Sequence, residues 1–125
     1  MGTRKILVID DEDGILTILK GFLGERGYSV ITAGDGQEGL EMIKVGKERI
    51  DLIILDLLMP KMDGISLLRK LKEIGCAIPI VILTGSLKAE RHGPVLKEMG
   101  FTEDDILEKP IGLEIILDKV NEKLA

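Results

Sequence analysis

The chain has 125 residues, 45% of them hydrophobic, and a formal charge of −5, which sets the scale of one globular domain and excludes a disordered polymer. Its 17 basic residues form no dense block against 22 acidic ones, so the electrostatic footprint of direct nucleic-acid binding is missing. The single cysteine excludes an internal disulfide and fits a reducing cytoplasm, no stretch reaches the roughly 18 apolar residues of a membrane span, and the apolar run after Met1–Lys5 is too short for a secretory leader.

Apolar runs alternate with helix-period segments along the whole chain. Ile6-Leu7-Val8-Ile9 predicts a first strand that ends in Asp10-Asp11. Ile15, Leu16, Ile18, Leu19, Phe22 and Leu23 then share one face of a helix, which Gly27 terminates. Tyr28 to Ala33 is a less apolar strand, as suits an edge, and Gly34-Asp35-Gly36 is a turn. Leu40 and Ile43 mark a short second helix that stops at Gly46.

Ile50 to Leu55 is a third strand, apolar enough for burial on both faces, and it leads into Asp56. Asp63 caps the next helix, whose predicted buried stripe is Ile65, Leu68, Leu71 and Ile74. Ile78 to Leu83 is a fourth strand ending at Thr84-Gly85, with Pro79 near its start, where a missing donor is tolerated. Leu87 to Met99 reads as helical, with Gly93-Pro94 breaking or kinking it. Ile106 to Glu108 is a brief fifth strand before Lys109-Pro110. Leu113, Ile116, Leu117, Val120 and Leu124 give a final amphipathic helix. Cys76 reads as a small apolar filler and His92 as a surface helix residue. Such alternation predicts an α/β fold, a parallel sheet with helices on both faces.

In open sheets of this type, ligands sit beyond the carboxyl ends of the strands. That is where Asp10, Asp11, Asp56, Thr84 and Lys109 fall. Three neighbouring carboxylates repel one another unless a cation joins them, and a hard, oxygen-preferring ion such as Mg²⁺ suits the set. Lys109 adds a positive point charge for an incoming phosphoryl group. Asp56 is the best nucleophile, because a carboxylate can form a covalent acyl phosphate. Thr84 offers a hydroxyl, and Gly85 a backbone N–H that a ligand can approach closely. Taken singly, each residue is better read as a cap, a turn or a solvated charge; their joint placement at one sheet edge makes the case.

The same residues resemble the receiver domains of bacterial two-component response regulators. The resemblance spans essentially the whole chain, residues 1–125, as one domain. It rests on Val8-Ile9-Asp10-Asp11-Glu12, Ala33-Gly34-Asp35-Gly36-Gln37-Glu38, Asp56-Leu57-Leu58-Met59-Pro60-Lys61-Met62-Asp63-Gly64, Leu83-Thr84-Gly85 and Lys109-Pro110. It implies a five-stranded, flavodoxin-like parallel sheet of order 2-1-3-4-5. It implies Asp56 as phosphoacceptor, charged by a sensor histidine kinase or phosphotransfer protein. It implies Mg²⁺ bound directly by Asp11, Asp56 and the Leu58 carbonyl, with Asp10 helping through water. Lys109 pairs with the phosphoryl group, and Thr84 reports it by moving towards it. The resemblance also implies a cytoplasmic module that switches partner binding, with a homodimer through the face near residues 87–124 left open.

Two positions and one stretch depart from the family pattern. Ile106 stands where an aromatic is frequent, Ile111 where Phe is frequent, and the stretch from Thr84 to Lys109 is a few residues longer than usual. Ile106 and the altered segment before Lys109 support one competing expectation, a receiver-like interaction module that no longer switches. A Mg²⁺-dependent phosphatase is a third reading, but such enzymes place an acid where this chain has Leu58.

Overall fold

Apolar runs can bury their backbone N–H and C=O groups only by pairing them. In the computed structural model of the chain, five runs do so as one parallel sheet. The structure describes residues 3–57, 59, 62–85, 93–109 and 112–125. The strands are β1 (Lys5–Ile9), β2 (Ser29–Ala33), β3 (Leu52–Asp56), β4 (Ile80–Gly85) and β5 (Ile106–Lys109), in the order β2-β1-β3-β4-β5. This is the flavodoxin-like order expected. Every residue of β3 is buried, as its unbroken apolarity requires. The less apolar β2 is an edge strand and leaves three of its five residues partly exposed.

Alternation along each strand divides the core in two. Ile6, Val8, Leu52, Ile54, Val81 and Leu83 pack with α1 (Asp13–Glu25) and α5 (Leu113–Leu124), through Leu16, Leu19, Leu23, Ile116 and Val120. Leu7, Ile9, Ile53, Leu55 and Ile82 face α2 (Gly36–Val45), α3 (Gly64–Glu73) and α4 (residues 93–98), through Leu40, Leu67, Leu68, Leu71 and Leu96. Cys76 is half-buried against this second cluster, consistent with its reading as filler.

Helix ends follow their local chemistry. The Asp35 and Asp63 carboxylates accept from Glu38 N and Ser66 N, both at 2.8 Å, and so cap α2 and α3. The Asp35-Gly36 turn thus runs straight into α2. Gly46 ends α2 with φ +66°, a left-handed backbone that glycine adopts without strain. Between α4 and β5, Asp105 accepts from Thr102 N at 2.8 Å and pairs with Lys123, while Lys119 reaches Asp104 at 3.2 Å. These bonds pin an acidic turn to α5.

The α3 face differs from the predicted stripe. Leu67 joins Leu68 and Leu71 in the core, Ile65 is only half-buried, and Ile74 is 48% exposed. Ile74 is the C-cap of α3, its N–H closing the last helical bond to the Lys70 carbonyl at 3.1 Å, so it stands at the helix end rather than within the buried face. Gly93 and Pro94 are the first two residues of α4 as described, a position where proline is tolerated, and the residues on the other side of the predicted break are not among those described. Residues 86–92, including His92, lie outside the described residues.

Gly21 is exposed within α1, and a β-carbon built on it meets nothing within 4 Å. Gly21→Ala should therefore stabilise the protein by about 0.5–1 kcal/mol. A higher urea midpoint at unchanged slope is the expected result, and a lower midpoint would contradict the packing described for α1.

Candidate functional site

The strand order reverses between β1 and β3, and that reversal opens a crevice at their carboxyl ends. Asp10 and Asp11 follow β1, and Asp56 is the last residue of β3. Parallel pairing sets Asp56 opposite Leu83, Thr84 opposite Glu108, and Gly85 opposite Lys109. Register alone thus delivers Asp56, Thr84 and Lys109 to one edge, although β1, β3, β4 and β5 are far apart in sequence.

The side chains converge as well. Carboxylate oxygens of Asp10, Asp11 and Asp56 lie within 4.8 Å of one another. Asp10 and Asp56 are buried, while Asp11 is exposed. Lys109 Nζ lies 3.2 Å from Asp10 Oδ2 and 3.3 Å from Asp56 Oδ2. The other Asp10 oxygen accepts from Glu12 N at 3.0 Å, and Asp10 N donates to the Ala33 carbonyl at 3.1 Å. Asp10 is therefore oriented from both its backbone and its side chain.

Burial alone would lower the Lys109 pKa, but Asp56 and then Asp10 outweigh it and raise the ammonium above its ordinary value. Lys109 stays charged near neutral pH. One ammonium against three carboxylates leaves an excess of negative charge in a partly buried basin. A divalent cation with oxygen ligands relieves such an excess, so the donor set fits Mg²⁺.

Thr84 is fully buried at the end of β4. The backbone of Gly85 continues β4 one residue further. Leu58 and Pro110 lie outside the described residues, so the carbonyl expected to complete the metal ligands is not among them. Ile106 is half-buried and packs against the core cluster on the α3 side.

Sequence reasoning gave two glycines beside the site no role in it. Gly64 N donates to the Leu57 carbonyl at 2.9 Å, directly after Asp56, and Leu57 N donates to the Leu83 carbonyl at 3.1 Å. Gly36 abuts the Met62 carbonyl. The available signal was the repeated Asp-Gly pair at 35–36 and 63–64, read there as turn and cap chemistry and as part of the family motif, without a packing role.

Residues 6–121 match the response regulator receiver domain family. The chain is 44% identical over 108 residues to the alkaline phosphatase synthesis transcriptional regulatory protein PhoP of Bacillus subtilis, covering 86% of this chain and 42% of that protein. It is 34% identical over 116 residues to the transcriptional regulatory protein DltR of Streptococcus agalactiae, covering 93% and 50%. The chain thus spans about half or less of the length of these curated relatives. Among solved structures, it resembles a response regulator receiver domain protein from Clostridium thermocellum, with TM-score 0.84, 35% identity, and 97% and 94% of the two chains covered. The receiver domain of the Francisella response regulator 1452 is similar at TM-score 0.84 and 33% identity, with 98% and 97% covered.

Proposed function

The chain belongs to the response regulator receiver domains of two-component signalling, and from that premise we propose that Asp56 accepts a phosphoryl group from the phosphohistidine of a sensor histidine kinase or phosphotransfer protein. The observation that carries this reading is the meeting of Asp10, Asp11, Asp56 and Lys109 at the crevice between β1 and β3.

An oxygen of Asp56 forms the new P–O bond while the P–N bond to the donor imidazole breaks, and the electron pair of that bond leaves on the imidazole nitrogen. The product is an acyl phosphate. Asp10, Asp11 and Asp56 would hold Mg²⁺, with the Leu58 carbonyl as the further ligand implied by the family. Bound there, the ion supplies neutralisation of the phosphoryl oxygens. Lys109, fixed beside Asp56, offers its charge to the same oxygens without first having to reorganise. The Thr84 hydroxyl and the Gly85 N–H are the donors for the remaining oxygen positions. A move of Thr84 towards the phosphoryl group would carry the change to partner-binding surfaces.

On this reading residues 1–125 are one cytoplasmic receiver unit. It assists its own phosphorylation and the later attack of water on the acyl phosphate, and it turns over no outside substrate. Among the described residues, no helix is long and apolar enough to cross a membrane. The test is incubation with Mg²⁺ and a small phosphodonor, read by intact mass. A single phosphoryl adduct labile to hydroxylamine is expected, and no adduct at saturating donor would overturn the reading.

A further inference from the structure

Leu57 and Met62, described residues on either side of the loop after Asp56, lie where two helices begin. At α3, a β-carbon on Gly64 would lie 2.6 Å from Leu57 Cα, 2.8 Å from Leu57 Cδ2 and 3.1 Å from the Asp56 carbonyl oxygen. At α2, a β-carbon on Gly36 would lie 2.7 Å from the Met62 carbonyl oxygen and 3.1 Å from Met62 Cβ. Contacts under 3.0 Å force something to shift, and in both cases the nearest obstacle is backbone, which cannot swing aside as a side-chain tip can. Gly39 is the contrasting case. Its β-carbon would meet Ile9 Cδ1 at 2.5 Å, the free end of a side chain. Gly21 and Gly24 meet nothing within 4 Å.

Neither Gly36 nor Gly64 has the positive φ that would demand glycine for conformational reasons. Both lie in the first turn of a helix, where alanine is ordinarily the better residue. What glycine provides at these positions is close approach.

We propose that Gly36 and Gly64 are positioning residues for Asp56: their missing β-carbons let the first turns of α2 and α3 rest directly on the backbone of the loop that follows the phosphoacceptor. Leu57 is then held three ways: by Gly64 N on its carbonyl, by the Leu83 carbonyl on its own N–H, and by the packed Gly64 Cα. Met62, at the far end of the loop, is stopped by Gly36. With both ends fixed, the Asp56 carboxylate keeps its place relative to Asp10, Asp11 and Lys109. An added methyl at either glycine displaces Leu57 or Met62 and, with it, the acidic set. This inference rests on the proposed role of Asp56 and deepens it.

The test uses Gly36→Ala and Gly64→Ala, each in a Gly21→Ala/Gly24→Ala background to keep them folded. Leu71→Ala, a core truncation in α3, serves as the control for simple destabilisation. Two readouts are taken well below each melting temperature: Mg²⁺ affinity by calorimetric titration without phosphodonor, and the rate of adduct formation by intact mass. Both glycine variants should weaken Mg²⁺ binding and slow adduct formation by about 10-fold. Leu71→Ala should keep wild-type values for both despite an equal or larger fall in melting temperature. Wild-type Mg²⁺ affinity in either glycine variant overturns the proposal while leaving the reading of Asp56 intact. Failure of the parent protein to bind Mg²⁺ and to take up a phosphoryl group overturns both.

Discussion

Asp56→Asn is expected to take up no phosphoryl group under conditions that fully modify the parent protein. The amide oxygen is a poor nucleophile and cannot form the acyl phosphate. The variant should nevertheless fold. Substitution removes one of three carboxylates that lie within 4.8 Å of one another, leaving two against the Lys109 ammonium. Lost attraction to Lys109 is offset by relieved repulsion from Asp10 and Asp11, so stability without Mg²⁺ should stay within about 1 kcal/mol of the parent or rise. Mg²⁺ at 100 times its dissociation constant should stabilise the parent by about 2.7 kcal/mol, and the variant by clearly less. Urea melts with and without Mg²⁺ measure both effects. An adduct on Asp56→Asn at the parental rate would place the acceptor elsewhere.

Lys109→Ala should be damaging in two separable ways. Its ammonium lies 3.2 Å from Asp10 and 3.3 Å from Asp56, and both of those carboxylates are nearly inaccessible to water. Without it the acidic set has no counter-charge from Lys109 and its carboxylates repel one another. Because the lysine itself is 24% exposed, the cost falls below that of a fully buried pair, at about 1–3 kcal/mol without Mg²⁺. Added Mg²⁺ should recover much of that loss. The rate of adduct formation should not recover with it. A preorganised charge beside the reacting oxygens is worth about 10²- to 10³-fold in rate, and alanine supplies none. Equal melting curves for variant and parent in the absence of Mg²⁺ would contradict the ion-pair geometry.

Much of the site was legible in the chain because strand ends are legible. An apolar run that stops abruptly at a polar residue marks both the end of a strand and a side of the sheet. Parallel pairing then brings Asp10, Asp11, Asp56, Thr84 and Lys109 together without further information. The edge position of β2 followed from its weaker apolarity in the same way.

Helix faces were less legible. Spacing of three from Ile65 selected Ile74, but the buried face of α3 turns on Leu67, Leu68 and Leu71, and the helix stops at Glu73. Where a helix ends decides which side of it the last apolar residue meets, and nothing in a local pattern states that end. The close approaches of Gly36 and Gly64 were legible only in part. A local reading of Asp-Gly gives the cap, and Asp35 and Asp63 do cap their helices. It does not give the Met62 carbonyl lying against Gly36, since that neighbour belongs to a different βα unit. Ile106 packs against the same core cluster as Met99 and Phe101. Its aliphatic side chain has no hydroxyl to present to solvent, so any relay from Thr84 through that position must work by packing alone.

The central claim is that Asp56, rather than Asp10 or Asp11, carries the phosphoryl group. The most direct measurement is borohydride reduction of the phosphodonor-treated protein, followed by fragment mass analysis across residues 5–64. Reduction converts the acylated aspartate to homoserine and leaves the free carboxylates unchanged. Homoserine at position 56 alone is the predicted result. Homoserine at position 10 or 11, or at none of the three, would contradict the account.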